Sequence, residues 1–342
     1  MIQLQQRISA FNRLGDFLRN INSENPDYKL LFDTVSRAKD NNGWFSKENV
    51  LHALNAWGNL LNKKDLIQWT KDYVFENEEL KIVGLVLAGN IPLVGFHDFL
   101  TVLITGNDVL VKTGSKDQYL VKFLAQYLIQ LDERFLSKIT FVEGKLEGFD
   151  AIIATGSNNT SRYFDYYFKN VPNIIRKNRN SVAVLTGNES KEDLVHLGED
   201  IFRYFGLGCR NVSKLFVPKG YDFKVFFDAI YAYKDVIFYE KYANNYDYNK
   251  AVFLMSLYKL LDNEFLTLKE DSSYSSPISS VFYEFYDDIE QVKKRLKDDE
   301  SFIQCVVSKN LIEKSISFGE TQKPALWDYA DNLDTIDFLN SI

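Results

Sequence analysis

Through the first part of the chain apolar residues recur at helical spacing, as over residues 5–21 and 46–61, with Ser46 placed as a capping residue ahead of the second run. The spacing predicts a helical lead-in over residues 1–75. From Leu80 the pattern changes to short apolar runs ending in turn residues, alternating with longer amphipathic stretches, as parallel strands joined by helices do. Strands are predicted at 81–87, 108–112, 138–142, 151–155 and 181–186. Helices are predicted at 92–105, 115–135, 163–168 and 190–205; Pro92 suits a first helical turn because its missing N–H would have no intrahelical partner. The span from 80 to 205 therefore resembles a nucleotide-binding α/β layer with ligands at the carboxyl ends of its strands.

Beyond Cys209 a strand is predicted at 214–217, helices at 221–233 and 249–261, and strands at 265–269 and 280–286. The Ser-rich piece 271–280 reads as an exposed loop or hinge, 291–300 as a solvated helix face, and 303–308 as a buried strand ahead of an irregular tail. The apolar stretch 80–112 is interrupted by Asn90, Pro92, His97, Asp98, Asn107 and Asp108, most of which would need polar partners inside lipid, so stable membrane insertion is not expected.

Composition narrows the possibilities. With 342 residues, 46% of them hydrophobic, the chain can build two or three cores. Forty basic against 47 acidic side chains leave a formal charge of −7, and no diffuse positive field to collect a nucleic acid. Two cysteines cannot make a disulfide framework, and residues 1–18 lack the uninterrupted apolar core of a signal peptide, so a cytoplasmic location is expected. The 27 Phe and 20 Tyr are spread without a fixed period and read as core packing.

Three histidines, His52, His97 and His196, stand far apart with no Cys or carboxylate at ligand spacing, and no metal is expected. The phosphate loop GxxxxGK[ST] and the hydrolase elbow GxSxG are absent. Four segments remain. Leu87-Ala88-Gly89-Asn90-Ile91-Pro92 puts an amide side chain at a strand's carboxyl end. Val109-Leu110-Val111-Lys112-Thr113-Gly114-Ser115-Lys116 ends the next strand in a lysine. Ala154-Thr155-Gly156-Ser157-Asn158-Asn159-Thr160-Ser161 ends a third in a small-residue turn before a helix. Gly206-Leu207-Gly208-Cys209-Arg210-Asn211 sets a cysteine after two glycines and before an arginine.

In this order the segments resemble the aldehyde dehydrogenase superfamily, and more closely its acyl-CoA reductase branch, the LuxC-like fatty acyl reductases. The motif-bearing span runs from about 81 to 218, and the tail 319–339, with Gln322, Pro324 and Tyr329-Ala330-Asp331, is similar to the closing segment of that branch. The resemblance implies a Rossmann-type cofactor domain over 76–205, a second α/β catalytic domain carrying the cysteine over 206–300, and a closing or oligomerisation segment over 301–342. It implies Cys209 as the nucleophile that forms a thioester with the acyl group. A cysteine without context is most often a buried structural thiol, the reading kept for Cys305; at Cys209 the flanking glycines permit close approach and Arg210 favours the thiolate. Asn90 matches the amide that, with the cysteine N–H, holds the oxyanion.

Lys112 matches the lysine that contacts the adenosine ribose. Three positions on, most NAD-preferring members carry a glutamate; Ser115 followed by Lys116 stands here instead and points to NADPH. Gly156 and Ser157 match the turn that opens the helix beneath the pyrophosphate, where free N–H groups attract anions. Ser161 stands where the family has a second glycine. The glutamate that activates water in hydrolytic members would fall near Ile174 or Ile175, which cannot act as a base. A CoA thiol needs no such base, so the expected reaction is NADPH-dependent reduction of an acyl-CoA thioester, of medium or long chain, to the aldehyde by an ordered, ping-pong cycle. The alternatives are a CoA-independent aldehyde dehydrogenase, an acyl phosphate reductase, or a catalytically silent acyl- or nucleotide-binding protein of the same fold. Members of the superfamily usually assemble as dimers or tetramers, which implies a homo-oligomer.

Overall fold

The computed structural model describes residues 2–75 and 79–342; the expected start of the cofactor domain at 76 lies outside the described residues. The chain divides into two compact units, Met1–Asn178 with Ala325–Ile342, and Arg179–Pro324.

The first unit opens with four helices, α1 (Leu4–Arg19), α2 (Lys29–Asn41), α3 (Lys47–Leu60) and α4 (Lys63–Thr70). Ser46 caps α3 as expected, its side chain accepting the Asn49 N–H at 3.2 Å. There follow β1 (Ile82–Val86), α5 (Phe96–Thr105), β2 (Asp108–Lys112), α6 (Leu120–Leu131), β3 (Ile139–Phe141), β4 (Ala151–Thr155), α7 (Asn158–Tyr167) and β5 (Asn173–Arg176). The five strands form a wholly parallel sheet in the order β3-β2-β1-β4-β5. Strand order therefore reverses between β1 and β4, and in such sheets ligands bind outside the carboxyl ends of the strands at the reversal. The Asn90 turn follows β1 and the Gly156–Ser157 turn follows β4, so both expected turns sit there.

The C-terminal segment returns to this unit. His97 Nε2 meets the Leu326 carbonyl at 2.8 Å, Trp69 Nε1 donates to the Tyr329 hydroxyl at 2.8 Å, and buried Arg176 binds Asp98 at 2.6 Å and the Ala330 carbonyl at 2.7 Å.

The second unit runs through β6 (Asn180–Val184), α8 (Lys191–Phe202), β7 (Val212–Pro218), α9 (Phe223–Ile230), α10 (Glu240–Met255), β8 (Leu260–Asp262), β9 (Thr267–Glu270), β10 (Ser280–Tyr286), α11 (Ile289–Asp298) and β11 (Ile303–Val307). Its six-stranded sheet has the order β11-β6-β7-β10-β9-β8 and is parallel except for β8 against β9. Val182, Val184, Phe216, Val292 and Ile303 share its core on one face. The α/β class is as the pattern implied.

Several boundaries moved for local reasons. The helix expected from Pro92 begins at Phe96 because Leu93 takes a left-handed φ of 59°, which no α-helix continues through. The helix expected from Ser115 begins at Leu120, after the turn closed by Asp117 N–H on the Gly114 carbonyl at 3.1 Å. The helix expected at 249–261 occupies Glu240–Met255 instead. Leu257, at φ 60°, ends it and releases β8.

Candidate active site

In the first unit the segments after β1 and β2 press against each other. A Cβ added at Gly89 would lie 2.8 Å from Asp117 N, and one at Gly114 would lie 3.0 Å from the Leu87 carbonyl oxygen, so glycine is what lets these backbones touch. The Asp117 carboxylate, 4% exposed, accepts the Leu93 N–H at 2.8 Å. Burial pushes its pKa up to about 6, against the opposing pull of the Leu93 and Leu120 N–H groups. Asn90, Ser115 and Lys116 are exposed on these turns. Lys112 ends β2 and donates from Nζ to the Gly144 carbonyl at 2.8 Å. Beside β1, Gly156 donates its N–H to the Arg176 carbonyl at 3.3 Å, and Ser157 caps α7 by accepting the Thr160 N–H at 3.3 Å. Ser161, at the position of the expected second glycine, is buried. Ile174 and Ile175 lie on β5 beside Ile153 and Ala154, so aliphatic side chains stand where the resemblance would put the glutamate.

In the second unit Cys209 is half-buried in the turn between α8 and β7. Three consecutive left-handed residues lead into that turn, Tyr204 (φ 54°), Phe205 (φ 59°) and Gly206 (φ 76°). For the two aromatic residues this conformation costs about 1–2 kcal/mol each, offset by burying both rings and stacking Phe205 on Tyr239 at 4.3 Å. Asn211, 3% exposed, fastens the turn: its Nδ2 donates to the Asp200 and Arg203 carbonyls at 3.0 and 2.8 Å, and its Oδ1 accepts the Gly208 N–H at 2.8 Å. The Ser181 hydroxyl donates to the Cys209 carbonyl at 2.8 Å and lies 3.0 Å from Cys305 Sγ. Cys305, on β11, is thus linked through one hydroxyl to the backbone of Cys209; it is half-buried, and burial lifts its thiol to about 11.

Arg210 Nη1 reaches the Thr321 carbonyl at 3.4 Å, while the Thr321 N–H and hydroxyl bind Asp200 Oδ1 at 3.0 and 2.8 Å, and Gly319 N–H binds Asp200 Oδ2 at 2.7 Å. Burial raises Asp200 to about 6 despite these donors. The tail from residue 319 therefore begins as a loop tied to a carboxylate on α8.

The expected residues divide as the units do: Asn90, Lys112, Ser115, Lys116, Gly156 and Ser157 in the first, Cys209 in the second. Asn211, Ser181, Asp200 and Asp117 were not anticipated. An Asn two residues after the candidate nucleophile was visible, but nothing in one dimension says that its amide turns back onto the preceding helix end.

Among the described residues no three His, Cys, Asp or Glu side chains approach as metal ligands would, and no helix is long and apolar enough to cross a membrane.

The family model described as acyl-CoA reductase (LuxC) matches residues 16–226, more than half of the chain, and that span contains all seven expected residues. The chain belongs to the LuxC acyl-CoA reductase family. This member is accordingly an oxidoreductase with acyl-CoA reductase-type chemistry. No curated protein sequence matches it. Among solved structures it is similar in fold to an indole-3-acetaldehyde dehydrogenase complexed with NAD+, with a TM-score of 0.66 at 12% identity over 90% of this chain and 72% of that one. An NAD-dependent benzaldehyde dehydrogenase from Corynebacterium glutamicum gives 0.66 at 13% identity, covering 90% and 77%. Aldehyde dehydrogenase 21 from Physcomitrella patens, in complex with succinate, gives 0.65 at 12% identity, covering 91% and 74%. The reductase thus has the aldehyde dehydrogenase fold.

Proposed function

We propose that this reductase converts a medium- or long-chain fatty acyl-CoA to the aldehyde, with NADPH as cofactor and Cys209 as the acyl-carrying nucleophile. The supporting observation is that one family span, 16–226, takes in both the strand-end turns of the parallel sheet and the fastened turn that bears Cys209.

The first unit suits a dinucleotide. Its strand order reverses between two strands whose following turns are rich in small residues, and its glycines leave backbone rather than side chains at the sheet edge. Lys112, Ser115 and Lys116 would hold the adenosine ribose and its 2′-phosphate, and Gly156 and Ser157 the pyrophosphate at the start of α7. When bound, the cofactor supplies the hydride that reduces the acyl group. The remaining steps belong to the chain. The Cys209 thiolate attacks the thioester carbonyl carbon, the bond to the CoA sulfur breaks as the new C–S bond forms, and CoA leaves as its thiolate. Exchange between two thioesters is nearly balanced in energy, so the protein mainly orients the reactants and stabilises the oxyanion. The Asn90 amide and the Cys209 N–H are assigned to that oxyanion, a role often worth about 3 kcal/mol per donor. With isoleucines at 174 and 175, the acyl-enzyme has no base from that strand to promote hydrolysis. We also assign the enzyme to the cytoplasm, as a homo-oligomer, which light scattering after gel filtration tests.

The deciding assay follows NADPH and NADH oxidation against a ladder of acyl-CoA lengths, with Cys209→Ala alongside and the intact mass recorded after mixing with acyl-CoA alone. Expected are NADPH consumption that rises with chain length, an acyl adduct on the wild-type chain, and neither with Cys209→Ala. Fast conversion of aldehyde and NAD to free acid without CoA would overturn the proposal in favour of a hydrolytic dehydrogenase, and a missing adduct would leave a binding protein.

A further inference from the structure

The turns after β1 and β2 are joined by residues that no motif contains. Asp117 holds the Leu93 N–H with a buried carboxylate, a charge-assisted bond placed where Leu93 is held left-handed and could not orient itself by helix formation. From the other side, the end of α2 reaches both turns. Asn41 Nδ2 donates to the Ser115 carbonyl at 2.8 Å and its Oδ1 accepts from Gln118 Nε2 at 3.1 Å, while Asn42 Nδ2 lies 3.4 Å from the Gly89 carbonyl. The backbones between are in contact at Gly89 and Gly114.

We propose that Asp117 and Asn41 are positioning residues that hold the Ser115–Lys116 turn in register with the Asn90 turn, giving the helical lead-in a share in cofactor binding. This rests on the assignment of those turns under the proposed function. Neither residue touches a reacting atom. The carbonyl of Ser115 and the N–H of Leu93 are main-chain groups, so holding them fixes the path of the backbone that carries Ser115, Lys116 and Asn90. A site loses catalytic power steeply when its parts shift by about 1 Å.

The test uses the full chain as wild type, Asn41→Ala and Asp117→Asn. Binding of NADPH and of NADH is measured by quenching of intrinsic fluorescence, kcat and KM with acyl-CoA by cofactor oxidation, and melting by circular dichroism. Asn41 is exposed, so Asn41→Ala should melt within a few degrees of the wild type, yet weaken cofactor binding about fivefold. Asp117→Asn should weaken it about tenfold or more and lower kcat as well, since it loosens both turns. If cofactor affinities of Asn41→Ala stay within about twofold of wild type, the inference is overturned, whether or not Asp117→Asn folds. A wild-type chain that binds neither NADPH nor NADH would overturn the proposed function and this inference with it. Wild-type binding with unaltered variants would overturn this inference alone.

Discussion

Two buried carboxylates, Asp117 and Asp200, are held near pH 6 against an ordinary value of 3.8, and both serve turns that bear candidate site residues. Between these values the folded chain keeps a proton that the unfolded chain has lost, so the contribution of these two groups to stability grows on acidification from pH 7 towards 4. At neutral pH each ionised group costs roughly 3 kcal/mol. Asp271 titrates elsewhere: burial lifts it, but Lys269 and the Ser273 donors bring it net to about 2, so its contribution is lost only below pH 4. Urea midpoints compared between pH 7 and 4.5 should therefore rise less for Asp200→Asn than for the wild type; equal slopes would mean Asp200 titrates normally. At the proposed nucleophile, Ser181→Ala leaves the Cys209 carbonyl without its hydroxyl donor. Alkylation of Cys209 by iodoacetamide should slow several-fold while the melting point drops by no more than one hydrogen bond, about 1 kcal/mol, allows. Cys209 stood out as a candidate because its neighbours are unusual in sequence. Ser181, 28 residues upstream and one of many serines, did not, since only the pairing of β6 with β7 brings it there.

At the scale of elements, parallel strands were the most legible feature, because strands covered on both faces read as unbroken apolar runs. Ala151–Thr155 and Ser280–Tyr286 fall where the pattern put them. Helix starts were less so: whether a helix begins at Pro92 or Phe96 depends on Leu93, whose left-handed backbone is held by a carboxylate 24 residues away. The four-residue β5 and three-residue β8 are too short to show a period, and β8 was absorbed into a helix expected at 249–261. Helix ends offer a direct test. Gly106 ends α5 at φ 96°, and any side chain there would run into the Arg7 guanidinium. Gly106→Ala should lose at least the roughly 1–2 kcal/mol of a left-handed L residue, read from the urea midpoint. A change below a few tenths would mean that α5 ends without using this geometry.

Over the whole molecule the chain leaves its first unit at Asn178, builds the second and returns at Ala325. The return is secured by Arg176, which joins Asp98 on α5 to the Ala330 carbonyl and the Thr335 hydroxyl, all with little solvent. Arg176→Ala strands a buried carboxylate and should cost roughly 3–5 kcal/mol by denaturant melting, with Asp98→Asn on top of it recovering part. A cost under about 1 kcal/mol would show that the C-terminal segment holds by its apolar contacts alone. From sequence alone came the alternation of strands and helices, the four motif segments in family order and the identity of the one cysteine set among glycines, because period, turn chemistry and motif spacing are local properties of a chain. Tertiary structure alone decided that strand order reverses between β1 and β4, that an asparagine pair ending α2 and a buried Asp117 bind the two turns, and that Ser181 and Asn211 fasten the cysteine. Those contacts join residues far apart along the chain, and the hydrogen bonds that make them are chosen by which backbone groups folding leaves buried and unpaired.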